Sequence, residues 1–387
     1  MILFALCPIG LFYHRTVLLD NVAIAWALAA FVLALTPRRR LWAFAGSGAC
    51  FAVSVLSKET ALILLPALLL AAARNVDKGT RRYCLTLFVS FLALVALAYP
   101  IYATLKGELL PGSGHVSLVG AIVEQLVTRE ATGSLFDPDS TSRATVMAWL
   151  ELDPWLLGSA LVLSPIALAH RSTRMVALAY LVQVVMILRP GYLPNMYVIG
   201  LLPFAALIVT GTGNALWRRL RASTASSPAA IGCAAAALVI AVPTLMVLTR
   251  WAHRAETAMT ARPDEPAREA RRWLVNNVGH EKRLIVDDEF WIHLVEHGFD
   301  AEPVRGGFFS RKVVSYWPLD YDPAVKWHFP NGWRDFDYIV STEPIRATTE
   351  RTPEAALALN HSRQVVQFGS GAGRIEIRAI TGAHRSD

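Results

Sequence analysis

Apolar residues fill the first two thirds of the chain in long blocks, and short polar stretches punctuate them. A helix needs about 20 mostly apolar residues to cross a bilayer. Eight blocks approach that length: 17–35, 41–57, 60–73 with its flanks, 83–103, 154–169, 175–188, 196–213 and 229–249. Prolines fall inside four of them (Pro66, Pro165, Pro203, Pro243), which a helix bundle tolerates when neighbours satisfy the freed carbonyls. Residues 1–12 are apolar too. Twelve residues rise only about 18 Å as a helix, against a hydrocarbon core of about 30 Å. That stretch reads as the outer half of a spanning helix, and the chain is expected to begin inside a longer reading frame. After Arg250 the pattern changes. Short apolar runs alternate with helical spacing: helices are predicted at 266–277, 288–297 and 353–359, and strands at 283–286, 313–316, 338–341, 365–368 and 375–380. The expected fold is a polytopic α-helical membrane protein (1–250) carrying an extracytoplasmic α/β domain (251–387).

Charge sharpens this division. Residues 1–250 hold 10 acidic and 19 basic residues, a net of +9; the remainder holds 20 and 18, a net of −2. The overall +7 therefore belongs to the apolar part, and no nucleic-acid partner is expected. Loops 36–40, 74–82, 170–174 and 214–222 carry 12 Lys/Arg, while 13–16, 58–59, 104–153 and 189–195 carry 6 over far more residues. The positive-inside rule places the first set in the cytoplasm and the second, with everything after residue 250, outside a plasma membrane. The four cysteines lie in apolar blocks without a CxxC spacing and read as buried small hydrophobes.

Two polar clusters fall at the outer membrane edge. His14, Arg15, Asp20 and Asn21 open the first full helix, with Asp20 already inside the apolar run. A carboxylate within the membrane costs roughly 2.5–3.5 kcal/mol on insertion scales unless it meets a polar cavity. Lys58 and Glu59 sit at the next outward turn. A cation there suits a lipid-linked phosphate and a carboxylate suits a sugar hydroxyl; snorkelling and interhelical salt bridging are the plainer alternative. Loop 104–153 is too long for a passive connection, and 116–127 has the spacing of an amphipathic surface helix. Arg189, in the rigid turn 189–194, has a weaker claim on the same outer cavity.

Arg15, Asp20 and Asn21, then a basic inner loop, then a helix ending Ser57-Lys58-Glu59, resemble the GT-C superfamily. More narrowly, the chain resembles the phospholipid-carrier-dependent glycosyltransferases, which include protein O-mannosyltransferases and the lipid A aminoarabinose transferase. Leu284-Ile-Val-Asp-Asp-Glu-Phe-Trp291, Pro318-Leu-Asp-Tyr-Asp-Pro323 and Asp337-Tyr-Ile-Val-Ser341 extend the likeness into the tail. The resemblance implies sugar transfer from a polyprenyl-phosphate donor to a protein, lipid or polysaccharide acceptor, with membrane lipids as surroundings. It implies that Arg15 and Lys58 hold the donor phosphate, that Asp20 supports catalysis, and that His14, Asn21, Glu59 and Arg189 line the substrate cavity. The family's principal base lies in an early outward loop that would precede Met1. A divalent metal stays open, with no residue assigned to it.

Other chemistries read more weakly. Asp287-Asp288-Glu289 reads as a helix-capping cluster before a metal site. Asp320-Tyr-Asp322 mimics a metal-binding DxD but precedes a proline and reads as a turn. Residues 369–373 form a glycine turn that opens no helix, so a phosphate loop fails. A transporter, or a non-catalytic sensor with an outward ligand-binding domain, remains the alternative.

Overall fold

The computed structural model describes residues 2–16, 18–36, 41–112, 115, 117–125, 131–222, 249, 251–260, 262, 264–299 and 312–381. The chain is mostly helical, with one small sheet near its C-terminus. It divides into a helical unit, Met1–Tyr102 with Thr128–Ala261, and an α/β unit, Ala103–Val127 with Arg262–Asp387. The stretch 104–153 is thus shared between the units rather than forming one loop, and 251–261 groups with the helices.

Among the described residues, Arg81–Lys106 and Asn195–Arg218 are each long and apolar enough to cross a membrane. The number rises to four if two bent pairs each count as one span: Pro8–His14 with Leu19–Ala34, at 113°, and Thr141–Leu152 with Pro154–Ala169, at 103°. Leu41–Ser57 and Arg174–Leu188 are apolar but shorter. The block at 60–73 is divided between a 3-10 turn, Glu59–Leu64, and the ten-residue helix Leu65–Arg74. The block at 229–249 lies almost wholly outside the described residues. The N-terminal apolar stretch forms two short helices, Ile2–Ala5 and Pro8–His14, and the second turns sharply from Leu19–Ala34 instead of prolonging it.

Small residues set the helix spacing. Ser47 and Ser54, both fully buried, donate across to the carbonyls of Ala30 (2.8 Å) and Ala23 (2.7 Å), riveting Leu41–Ser57 to Leu19–Ala34. On its other side, a Cβ at Gly48 would lie 2.1 Å from the Phe88 carbonyl oxygen, so Leu41–Ser57 and Arg81–Ala96 approach backbone to backbone. Close approach through Gly, Ala and Ser is how helices associate where lipid removes the hydrophobic drive between them.

The α/β unit holds a five-stranded sheet. Its strands are β1 (Leu284–Val286), β2 (Val313–Ser315), β3 (Tyr338–Ser341), β4 (Ser362–Phe368) and β5 (Ile375–Ile380), in the order β2-β1-β3-β5-β4. The first three are parallel; β5 runs antiparallel to both β3 and β4, with a register shift between Gln364 and Val366. β1, β2 and most of β3 are buried, as continuous apolar runs in a covered sheet should be. The strands and the helices Glu265–Asn277 and Pro353–Asn360 follow the sequence pattern closely. Two helices, Tyr316–Tyr321 and Pro323–His328, occupy a stretch expected to be a turn. Of the surface helix expected at 116–127, the described residues hold the α-helical turn Leu118–Val123, started by the Ser117 hydroxyl accepting the Gly120 amide at 2.9 Å.

Candidate functional site

Asp20 lies in the first turn of Leu19–Ala34, where the helix dipole favours a carboxylate. Lys58 is the extended residue between the end of Leu41–Ser57 and the 3-10 turn Glu59–Leu64. The Ser54–Ala23 hydrogen bond joins the same two helices three residues beyond Asp20 and four before Lys58, so it fixes the two charges relative to each other. A small cleft, open to solvent, lies there. Asp20, Lys58, Thr60, Gln183 and Tyr197 supply its polar lining; Ile24, Ile63, Leu64, three alanines and Gly200 supply the rest. Lys58 and Glu59 are within electrostatic reach of Asp20. Among the described residues, no contact ion pair joins Asp20 to Lys58, although the two charges act on each other.

The other expected residues lie differently. Arg15 is exposed, does not line the cleft, and donates through Nη1 to the Ala258 carbonyl. Arg15 stands apart from the cleft that Lys58 lines, in a turn that takes a 113° bend before Asp20. His14 and Asn21 fasten that bend. The His14 imidazole donates from Nδ1 to Asn21 Oδ1 at 2.6 Å, and Asn21 Nδ2 donates to the carbonyls of Tyr13 (3.2 Å) and Thr16 (3.3 Å). Neither lines the cleft. Glu59 is exposed at the rim, near enough to act on Asp20 through its charge. Arg189 is exposed and acts in the same way on Tyr197.

Thr60, Tyr197, Gln183 and Gly200 are among the lining residues that escaped the sequence reading. Tyr197 sits in the 3-10 turn Asn195–Gly200, whose first carbonyl, that of Asn195, is held by the Trp149 indole at 2.9 Å. Its hydroxyl is buried and has no hydrogen-bond partner among the described residues. Gln183, only 3% exposed, comes from the middle of Arg174–Leu188. Gly200 lies against it. Each belongs to a strongly apolar block, where one polar residue barely alters the pattern.

In the α/β unit, the acidic motifs serve the fold. Asp322 caps Pro323–His328 by accepting the Ala324 amide at 2.8 Å, and Asp320 Oδ1 accepts the Glu354 amide at 3.1 Å in the first turn of Pro353–Asn360. Asp287 accepts the Thr342 hydroxyl at 3.0 Å and Asp288 the Ser315 hydroxyl at 2.5 Å, tying the carboxyl ends of β1, β2 and β3 together. Burial, with the neighbouring Asp288 charge adding to it, pushes the Asp287 carboxyl above its ordinary range despite the Thr342 bond. Among the described residues, no group of three or more His, Cys, Asp or Glu side chains is arranged to hold a metal ion.

No protein-family model matches the chain, and no curated protein matches it.

Proposed function

We propose that the chain is a membrane glycosyltransferase of the GT-C type, a polytopic helix bundle, and that the Asp20–Lys58 cleft binds the head of a polyprenyl-phosphate sugar. The observation that carries this reading is the convergence of one cation and one carboxylate, with no contact ion pair between them among the described residues, on a cleft whose walls are otherwise largely apolar. A donor of this class needs that combination: apolar surface for the prenyl chain, one positive charge for a phosphodiester, and an acceptor for a hydroxyl. Displacement at the anomeric carbon breaks its bond to the phosphate oxygen. The leaving phosphate takes the electron pair and gains charge, which Lys58 neutralises. Asp20 accepts a hydrogen bond from the sugar or from the incoming hydroxyl and holds it in line, a supporting role distinct from that of the principal base. The acceptor is a hydroxyl-bearing protein, lipid or glycan at the outer membrane face.

The test is transfer of label from a polyprenyl-phosphate sugar in membranes containing the full protein. Asp20→Asn and Lys58→Ala should each abolish transfer while protein abundance stays unchanged. Unaltered transfer in both variants overturns the assignment.

A further inference from the structure

Gln183 is the most deeply buried polar side chain in the cleft wall. An amide side chain offers two donors and an acceptor oxygen with two lone pairs. One donor is used internally, from Nε2 to the Ala179 carbonyl at 3.0 Å. Its Oε1 accepts no hydrogen bond among the described residues. That oxygen is not sealed off from the cleft, so a ligand hydroxyl can reach it.

The position of that oxygen depends on Gly200. A Cβ at residue 200 would lie 2.4 Å from Oε1, so glycine lets the amide rest in this placement and a larger residue would make its flexible end shift. Helical self-bonding to Ala179 alone would not demand this: any rotamer keeping Nε2 near that carbonyl would serve. The glycine preserves one placement of the free oxygen, in the lining shared with Lys58 and Asp20.

We propose that Gln183, seated by Gly200, is the specificity-determining residue that reads a hydroxyl of the glycosyl group in this cleft. The inference rests on the polyprenyl-phosphate reading above and goes beyond it. Lys58 and Asp20 already answer the charges. A neutral amide with a free acceptor and a remaining donor matches a group that both donates and accepts, which is a sugar hydroxyl and not a phosphate oxygen. Sites built to pair a ligand hydroxyl discriminate sharply against a ligand lacking it, because the protein group is then stranded.

The test uses the full chain in lipid nanodiscs and two probes: farnesyl phosphate, and farnesyl phosphate carrying a hexose (mannose, glucose or galactose, whichever binds best). Wild type should bind the glycosylated probe at least tenfold more tightly than the bare one. Gln183→Met, similar in size but without hydrogen bonding, should lose that preference and leave farnesyl phosphate affinity within twofold. Gly200→Ala, which displaces the amide without removing it, should shift the preference in the same direction and covers the case in which Gln183→Met fails to fold. No preference in wild type, or equal weakening of both probes in the variants, overturns the role of Gln183. Failure of either probe to bind wild type, or affinity unchanged by Lys58→Ala, overturns the lipid-phosphate reading and this inference with it.

Discussion

Asp153 terminates the bend between Thr141–Leu152 and Pro154–Ala169, fully buried. One carboxylate oxygen accepts the amides of Trp155 and Leu156, each at 3.1 Å, and the other accepts the Trp251 indole at 3.0 Å. Asp153→Ala strips a helix cap, about 1 kcal/mol, and strands a buried donor, about 1–3 kcal/mol. A loss of roughly 2–4 kcal/mol is therefore expected, read as a lowered thermal midpoint of the full protein in detergent. Tyr197→Phe should do the reverse in the absence of ligand: it removes a buried hydroxyl with no partner among the described residues, so the midpoint should hold or rise slightly. At this scale legibility followed cost. Asp20 and Lys58 stood out because a charge at the edge of an apolar run needs a reason. The Asp153-Pro154 pair carried a readable helix-start signal, proline just inside and an acid before it. Its bond to Trp251, 98 residues away, left no local trace.

The helix Leu41–Ser57 is held by features that almost vanish from a hydropathy profile. Serines take one neighbour, and Gly48 admits the backbone of the other. Gly48→Ala drives a methyl toward the Phe88 carbonyl oxygen, which is backbone and does not swing aside. Overpacking of this kind costs roughly 1–3 kcal/mol, and the expected outcome is a lower thermal midpoint for Gly48→Ala than for Gly158→Ala, a helix position with open space beside it. Elements with strong periodicity were readable: β3 and β5 occupy the residues their alternation indicated. Tyr316–Tyr321 and Pro323–His328 were not, because Pro318, Pro323 and two aspartates carry a turn-like composition. Asp322 resolves the contradiction by capping the second helix, with Pro323 at its first position.

The two units meet their surroundings in different ways, and each must be stabilised accordingly. Arg81–Lys106 is 11% buried over its apolar window, and Val32, Leu94, Val162 and Val185 are all exposed. Such surfaces are tolerable in a lipid solvent and hazardous in water. The α/β unit instead closes apolar side chains on both sides of its sheet and carries titratable groups that couple it to pH. Burial works against the Glu376 charge, but its hydrogen bonds to Arg374 (2.8 Å) and Arg378 (2.9 Å) win and hold the carboxyl below its ordinary value. A lowered value means stability fully present above the unfolded glutamate pKa of about 4.3 and lost as pH falls through the folded one. Asp287, raised by burial, contributes with the opposite sign: its ionisation costs stability as pH rises. Amide protection along Ile375–Ile380, corrected for intrinsic exchange, should therefore fall in wild type as pH drops below about 4. Glu376→Gln should show weaker protection at neutral pH and little further decline on acidification. The division into an apolar helical part and an α/β part was legible in the charge and periodicity. The assignment of 103–127 to the α/β unit was not, since it depends on packing between stretches far apart in the sequence.

The open edges of the sheet bear on how copies of the protein coexist. One edge strand, β2, is three residues long, and the other, β4, is kinked by a register shift and carries Arg363 beside it. Short, bent or charged borders are poor templates for a foreign strand. Proteins that share a bilayer collide in two dimensions at high local density, and a long flat border would let neighbours zip together. Blunted borders keep such encounters transient, so molecules can crowd without polymerising.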